Sequence, residues 1–377
     1  MKIARLYTQI KLIIMYKFIQ ILTILFGIGL TANAQYHTLD LPQPSPFVEE
    51  TQELGITKVT LKYSSPAVQG RQLWGNVVPM NGDPVPWRTG ANLNTIISFS
   101  TDVTINGQPL QAGSYGFHTI PGTEEWTLLF ANNDNIWGSY YLDLENEVEL
   151  NVNVLPEVSE HQEQLNFNFR SRTDSTLQIA IEWGEVAVPF TVGIDLNKTV
   201  VASLRYQLKG HTTNAWNAWT TAALWCLDHN TNLEEAWKWA NRSVIGGFGG
   251  FRATKNFDNL AARARIELAL QKTDDAKASI KEAAPLMSDP YNTYSTGMAI
   301  LRESENPEIA LQVFTLAEEK FEDTWYIPLG SARAYSVLGE FKEAQKALKK
   351  TMDNAPENYK EFLNGEMEKL NNHESLI

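Results

Sequence analysis

The stretch LQIAIEWGEVAVPFTVG, residues 177–193, is where the chain changes its periodicity. Leu177, Ile179, Ile181 and Trp183 recur at every second position, and Val186, Val188 and Phe190 resume the alternation. Such a pattern buries one face of a strand and wets the other. Pro189 has no N–H to offer a ladder, which predicts an edge strand or a bulge there. Past Gly193 the alternation stops, and from Val200 onward the apolar spacing becomes helical. A β-rich part therefore precedes an α-rich part.

Upstream, the same alternation appears in Val59, Leu61 and Tyr63, in Val148, Leu150, Val152 and Val154, and in Leu165, Phe167 and Phe169. Further strands are predicted at Thr95–Ser100, Val103–Ile105, Gly113–Ile120 and Trp126–Phe130. Asn106-Gly107 is the dipeptide that a type I′ turn requires and joins two of them. About nine short strands with frequent turn signals imply an antiparallel β-sandwich or a jelly-roll-like domain over 35–194. Its first residues, to Glu53, are polar and rich in proline (Pro42, Pro44, Pro46) and read as an extended lead-in.

Downstream, over 195–377, a repeat is visible. Ala276, Ala310 and Ala344 stand 34 residues apart, and Ile280, Phe314 and Leu348 keep the same register, as do Ala283 and Ala317. Ala332, Tyr335, Gly339, Ala344, Leu348 and Pro356 occupy the small, aromatic, small, small, large and Pro slots of a tetratricopeptide repeat. Ala236 belongs to an earlier unit, displaced by IGGFGGFRA at 245–253. Three units in register and one irregular unit imply a tetratricopeptide-like α-helical solenoid of three or four hairpins, and hence a protein partner.

The bulk properties set outer bounds. A chain of 377 residues, 43% apolar and 11% aromatic, is globular and long enough for two domains. Its formal net charge of −13 argues against nucleic acid and anionic membrane surfaces as partners. Residues 1–34 read as an export signal: Lys11 and Lys17 precede the apolar run from Phe18 to Leu30, and Ala32-Asn33-Ala34 supplies the small residues of a cleavage site. Met1 and Met15 both serve as possible starts. Export to the periplasm or the exterior follows, with no stable membrane anchor after cleavage. The single cysteine, Cys226, forbids an intramolecular disulfide and reads as a small buried apolar residue.

The candidate functional stretch is PWRTGAN, residues 86–92, set among Pro79, Gly82, Pro84 and Gly90. So much Pro, Gly, Arg and Trp describes a rigid loop on a β-scaffold. The pieces SPAVQGRQLWG (65–75), VPWRTGANLNT (85–95), VTINGQPLQAGSYGFHTIPG (103–122), WGSYY (137–141) and IEWGEVAVPF (181–190) resemble, in order and spacing, an exported bacterial family, domain of unknown function 2911. The resemblance spans about 150 residues, from Pro44 to Val192. It implies export and a β-rich domain and implies no reaction; members of the family often append tetratricopeptide-like helices. One departure is Leu93, where the family pattern leads one to expect an acid.

The candidate ligand-binding set is Arg71, Trp87, Arg88, Asn92, His118 and Trp137. The two arginines either hold an anionic or sugar ligand or tie loop carbonyls together. Trp87 and Trp137 either stack on a sugar ring or cap the sandwich core. Asn92 suits an Asx-type turn bond. His118 is either a general base or a structural histidine; alternation places it opposite Tyr115 and Phe117. No GxSxG, HExxH or phosphate-loop sequence occurs, so no metal and no cofactor is expected. The reading is an exported binding or scaffold protein with a peptide or glycan ligand on the β-domain. An exported hydrolase-like enzyme using His118 and Arg88 is the alternative.

Overall fold

A computed structural model describes residues 17, 41–80, 85–247, 252, 254–304 and 306–377. Apart from Lys17, the signal-like segment 1–34 lies outside the described residues, and so do 81–84, 248–251, 253 and 305. The chain divides into Met1–Phe47 and Val48–Ile377. Apart from Phe47, the sheets and the helices both fall in the second unit, so the boundary near 194 is a change of secondary structure.

Ten strands come first: β1 (Phe47–Leu54), β2 (Thr57–Ser64), β3 (Thr95–Phe99), β4 (Val103–Ile105), β5 (Gln108–Leu110), β6 (Gly113–Ile120), β7 (Trp126–Ala131), β8 (Val148–Val154), β9 (Glu157–Arg172) and β10 (Thr176–Gly193). They form a six-stranded sheet, β1-β2-β3-β6-β7-β8, and a four-stranded sheet, β5-β4-β10-β9. β1 corrects the sequence reading, which took 35–53 as an extended lead-in. Its alternation is masked because most of FVEETQEL remains at least partly exposed.

The sheets face each other across a shared core. Phe117 of β6 lies 5.8 Å from Phe167 of β9 and 5.8 Å from Phe190 of β10, and all three rings are fully buried. Each such ring contributes roughly 2–3 kcal/mol of burial free energy. Asn106 (φ 47°) and Gly107 (φ 85°) turn β4 into β5, the left-handed pair that a type I′ hairpin demands. The three alternating segments near residues 165, 177 and 186 merge into one long hairpin, β9–β10, with register shifts on either side of Gly184. β10 lies inside its sheet, which corrects the edge-strand expectation. Pro189 is tolerated because β10 pairs with β9 as far as Ala187 and with β4 only at Val192 and Gly193.

Among the described residues ten α-helices follow: α1 (Leu196–Gln207), α2 (Trp216–Asp228), α3 (Leu233–Ile245), α4 (Phe257–Ala269), α5 (Thr273–Ala283), α6 (Pro290–Glu303), α7 (Pro307–Lys320), α8 (Tyr326–Val337), α9 (Phe341–Asn354) and α10 (Lys360–Asn371). Asp195 caps α1 by accepting from the Lys198 N–H at 2.9 Å. Leu196 packs on the sandwich core, whereas Val201 and Leu208 join Ala222, Cys226 and Ala240 in a separate helical core. Four hairpins, α2–α3 through α8–α9, then stack in sequence.

The register residues sit where the repeat needs them. Ala276, Ala310 and Ala344 are fully buried on the second helices of their hairpins, with Ile280, Phe314 and Leu348 one turn further on. A Cβ on Gly297 of α6 or on Gly330 of α8 would stand 2.5 or 2.3 Å from the Phe314 ring. Both glycines are there to admit that ring. Glu267 of α4, only 4% exposed, accepts from Ser279 Oγ (2.6 Å) and Trp237 Nε1 (3.2 Å) and stands 3.6 Å from Arg263 Nε. Its charge is buried but partnered.

Candidate functional site

PWRTGAN is clamped at the end of the six-stranded sheet. Trp87 exchanges two main-chain bonds with Thr119 of β6, N–H to O at 2.7 Å and the reverse at 2.8 Å. Thr95 Oγ1 donates to the Thr89 carbonyl at 2.7 Å, and the Ala91 N–H donates to the Ser64 carbonyl at 3.2 Å. Two non-glycine residues take left-handed backbone here, Thr89 (φ 51°) and Asn92 (φ 61°). For a β-branched threonine this is strained, and the surrounding bonds hold it.

Trp87 is 8% exposed and belongs to the core. It stacks on Trp183 (5.8 Å, 13°) and meets Trp74 and Trp126 edge to face at 6.2 and 6.4 Å. Its role as a ligand-stacking ring is therefore corrected: the aromatic faces are used by other tryptophans. The Trp126 and Trp183 indole N–H groups have no oxygen partner among the described residues, and they lie among perpendicular ring faces.

The remaining candidates separate. Arg71 donates to the carbonyls of Ala67 and Val68 (Nε to Val68 O, 3.1 Å), bracing its own turn beside β9. Asn92 is exposed and its amide donates to Ser64 Oγ at 3.1 Å, a bond across to β2 in place of a local Asx turn. Arg88 is half-buried; its Nε makes one long bond to the Gly90 carbonyl, 3.4 Å, and no carboxylate pairs with it among the described residues.

The β7–β8 connection, 132–147, gathers the others, because it folds back over the outer face of β3 and β6. A Cβ on Gly116 would meet the Asn133 carbonyl at 2.2 Å, so only glycine lets this segment lie so close. Asn94 Oδ1 accepts the Ile136 N–H (3.0 Å), the Asn94 N–H donates to the Ile136 carbonyl (3.2 Å), and Leu93 and Trp137 form an antiparallel bridge. Asp143 accepts from the Asn146 amide (2.8 Å) and from the Glu145 and Asn146 N–H groups, which hold its carboxyl below the usual range.

His118 lies beneath this connection. Alternation placed it correctly on the face away from Phe117, yet that face is roofed, and His118 is fully buried. Its Nδ1 is 2.7 Å from Ser139 Oγ, and its Nε2 has no partner among the described residues. Burial lowers its pKa from 6.5 to about 4, against a smaller upward pull from Glu147. The imidazole is neutral at pH 7 and ties the connection to the sheet.

The outer side of the same connection is open. Trp137, Tyr140 and Tyr141 are 60%, 79% and 76% exposed. Gly138 takes φ 66°, and a Cβ there would lie 2.9 Å from the Tyr140 ring and 3.0 Å from Arg88 Nη1. The guanidinium and the Tyr140 ring thus converge on one glycine, next to Trp137. Gly138, Ser139, Tyr140 and Tyr141 were absent from the candidate set. The run of aromatics in a turn between strands was the available signal.

Residues 45–192 match a family described as "Protein of unknown function (DUF2911)", which bears out the resemblance for the β-part. No curated protein matches the chain. Among solved structures, a tetratricopeptide repeat protein from Parabacteroides merdae is 18% identical, covers 47% of this chain and 67% of its own, and has a TM-score of 0.32. A tetratricopeptide repeat protein of Thermus thermophilus is 16% identical, covering 46% and 90%, with a TM-score of 0.30. These superpositions are loose. The repeat assignment stands on the 34-residue register and the paired helices.

Proposed function

We propose that this chain is an exported binding protein: the sandwich presents a ligand surface at the β7–β8 connection beside Arg88, and the helical repeats hold a second protein. The observation that carries the ligand surface is the contrast between the two sides of that connection. Its inner side is pinned by His118, Asn94 and the Leu93–Trp137 bridge, while its outer side keeps three large aromatic rings in water. A pre-ordered loop that leaves apolar area exposed forgoes burial, which is the usual mark of a contact surface. Export is supported by the charged, apolar and small-residue order of 1–34, and a mature N-terminus at Gln35 is expected on sequencing the protein from an envelope fraction.

The hydrolase alternative has less support. His118 is closed to solvent, and its lowered pKa makes it a weak base. The test of the binding reading uses the chain from Gln35 as bait for envelope extract, beside a Trp137→Ala/Tyr140→Ala/Tyr141→Ala variant. The variant is expected to melt like the parent and to lose a retained component. Identical retained material from both baits would refute the loop as the binding surface.

A further inference from the structure

The pairing of Arg88 with the exposed rings narrows the ligand class. Arg88 Nη1 and the Tyr140 ring approach the same point, 3.0 and 2.9 Å from where a Gly138 Cβ would stand, and among the described residues the guanidinium has one long bond, to the Gly90 carbonyl. Three of the four acids of the neighbouring connection have partners elsewhere. Asp134 accepts from Ser114 Oγ at 2.9 Å, Asp143 is occupied within its own turn, and Glu147 accepts from the Asp143 N–H at 3.0 Å. A half-buried guanidinium near an exposed aromatic ring, with no carboxylate paired to it among the described residues, is complementary to a carboxylate carried on a ring-shaped ligand.

We infer that Arg88, Trp137 and Tyr140 form a subsite for an acidic saccharide, a pyranose of the uronic-acid type. Its ring face stacks on an aromatic side chain and its carboxylate engages Arg88. This rests on the ligand-surface reading above and names the class of ligand for it. A pyranose offers an apolar C–H face that suits Trp and Tyr, and hydroxyls that remain satisfied by water on an open loop. An extended polyanion such as nucleic acid is disfavoured, because the chain carries a net charge of −13 and the subsite supplies only one cation. A short or widely spaced acidic sugar needs no more than one.

The test is affinity electrophoresis and calorimetry on the chain from Gln35 with tetragalacturonate and with its methyl ester, which keeps the rings and removes the charges. The acid is expected to bind at least ~10-fold more tightly than the ester. Arg88→Gln should erase that preference while leaving the melting temperature unchanged, and Trp137→Ala/Tyr140→Ala should weaken both ligands. If Arg88→Gln fails to fold, the exposed aromatic pair alone decides whether the loop is engaged. Equal binding of acid and ester overturns the carboxylate contact. Binding of neither overturns the saccharide class. In that case, loss of envelope capture by the aromatic variant still upholds the ligand surface with another occupant, such as a peptide carboxylate.

Discussion

Acid should loosen this protein through one imidazole. His118 has an unfolded pKa of 6.5 and a folded pKa of about 4, so the native state resists protonation. Its contribution to stability is full above pH 6.5 and is lost as pH falls toward 4, because the unfolded chain binds the proton first. A shift of this size at about 1.4 kcal/mol per pKa unit corresponds to roughly 3 kcal/mol, most of it spent between pH 6.5 and 4.5. Carboxylates titrate in the lower part of that window, so the measurement is a difference. Urea melts of the parent and of His118→Gln, taken from pH 7 to 4.5, should show the parent losing about 2.5 kcal/mol more than the variant. Glutamine can keep a bond to Ser139 and cannot take the proton. A difference that stays flat across the range, or an imidazole that titrates near 6.5 in the folded protein, would refute the burial argument.

Three further expectations concern the helices. Gly330→Ala places a methyl 2.3 Å from the Phe314 ring, which is fully buried, and should cost about 2 kcal/mol in a thermal or urea melt. The control Gly365→Ala, with open space around it in α10, should instead stabilise by up to ~1 kcal/mol; equal effects would contradict the close-contact account. Glu267→Ala leaves Trp237 Nε1 without its acceptor and removes the carboxylate from Ser279 Oγ, while Arg263 keeps Glu282 and Asn241, so it should lower stability by about 2 kcal/mol, and a loss below ~1 kcal/mol would show that the carboxylate is not a keystone there. In limited trypsinolysis the first cut is expected after exposed Arg252, before Lys198, since buried Ile194 and core-packed Leu196 guard the sheet-to-helix junction; early cleavage at Lys198 would show that the junction opens.

What the sequence disclosed follows from the range of the forces involved. Alternation at Val59–Tyr63 or Leu177–Trp183 is local and survives in the strands β2 and β10. Asn106-Gly107 is a two-residue conformational demand, and it is met. The alanine register succeeded because each repeat asks for the same small side chain at the same helix crossing. The candidate site was harder. Trp74, Trp87, Trp126 and Trp183 come from four separate segments, and no local pattern says that they meet. His118 was assigned the correct face, yet its burial depends on a connection that returns over the sheet across Gly116. Arg71 and Arg88 look alike in sequence and part company in space, one bracing its own turn and the other reaching to Gly138 of the β7–β8 connection.

The four-tryptophan cluster also determines how this part of the protein handles light. Indole rings 5.2–6.4 Å apart share an excitation before any one of them emits. The sandwich is expected to emit as one coupled, blue-shifted group plus a single outlier, Trp137, which among the described residues is the one tryptophan mostly in water. A dissolved quencher such as iodide reaches that ring first, giving the exposed loop its own optical reporter without a label.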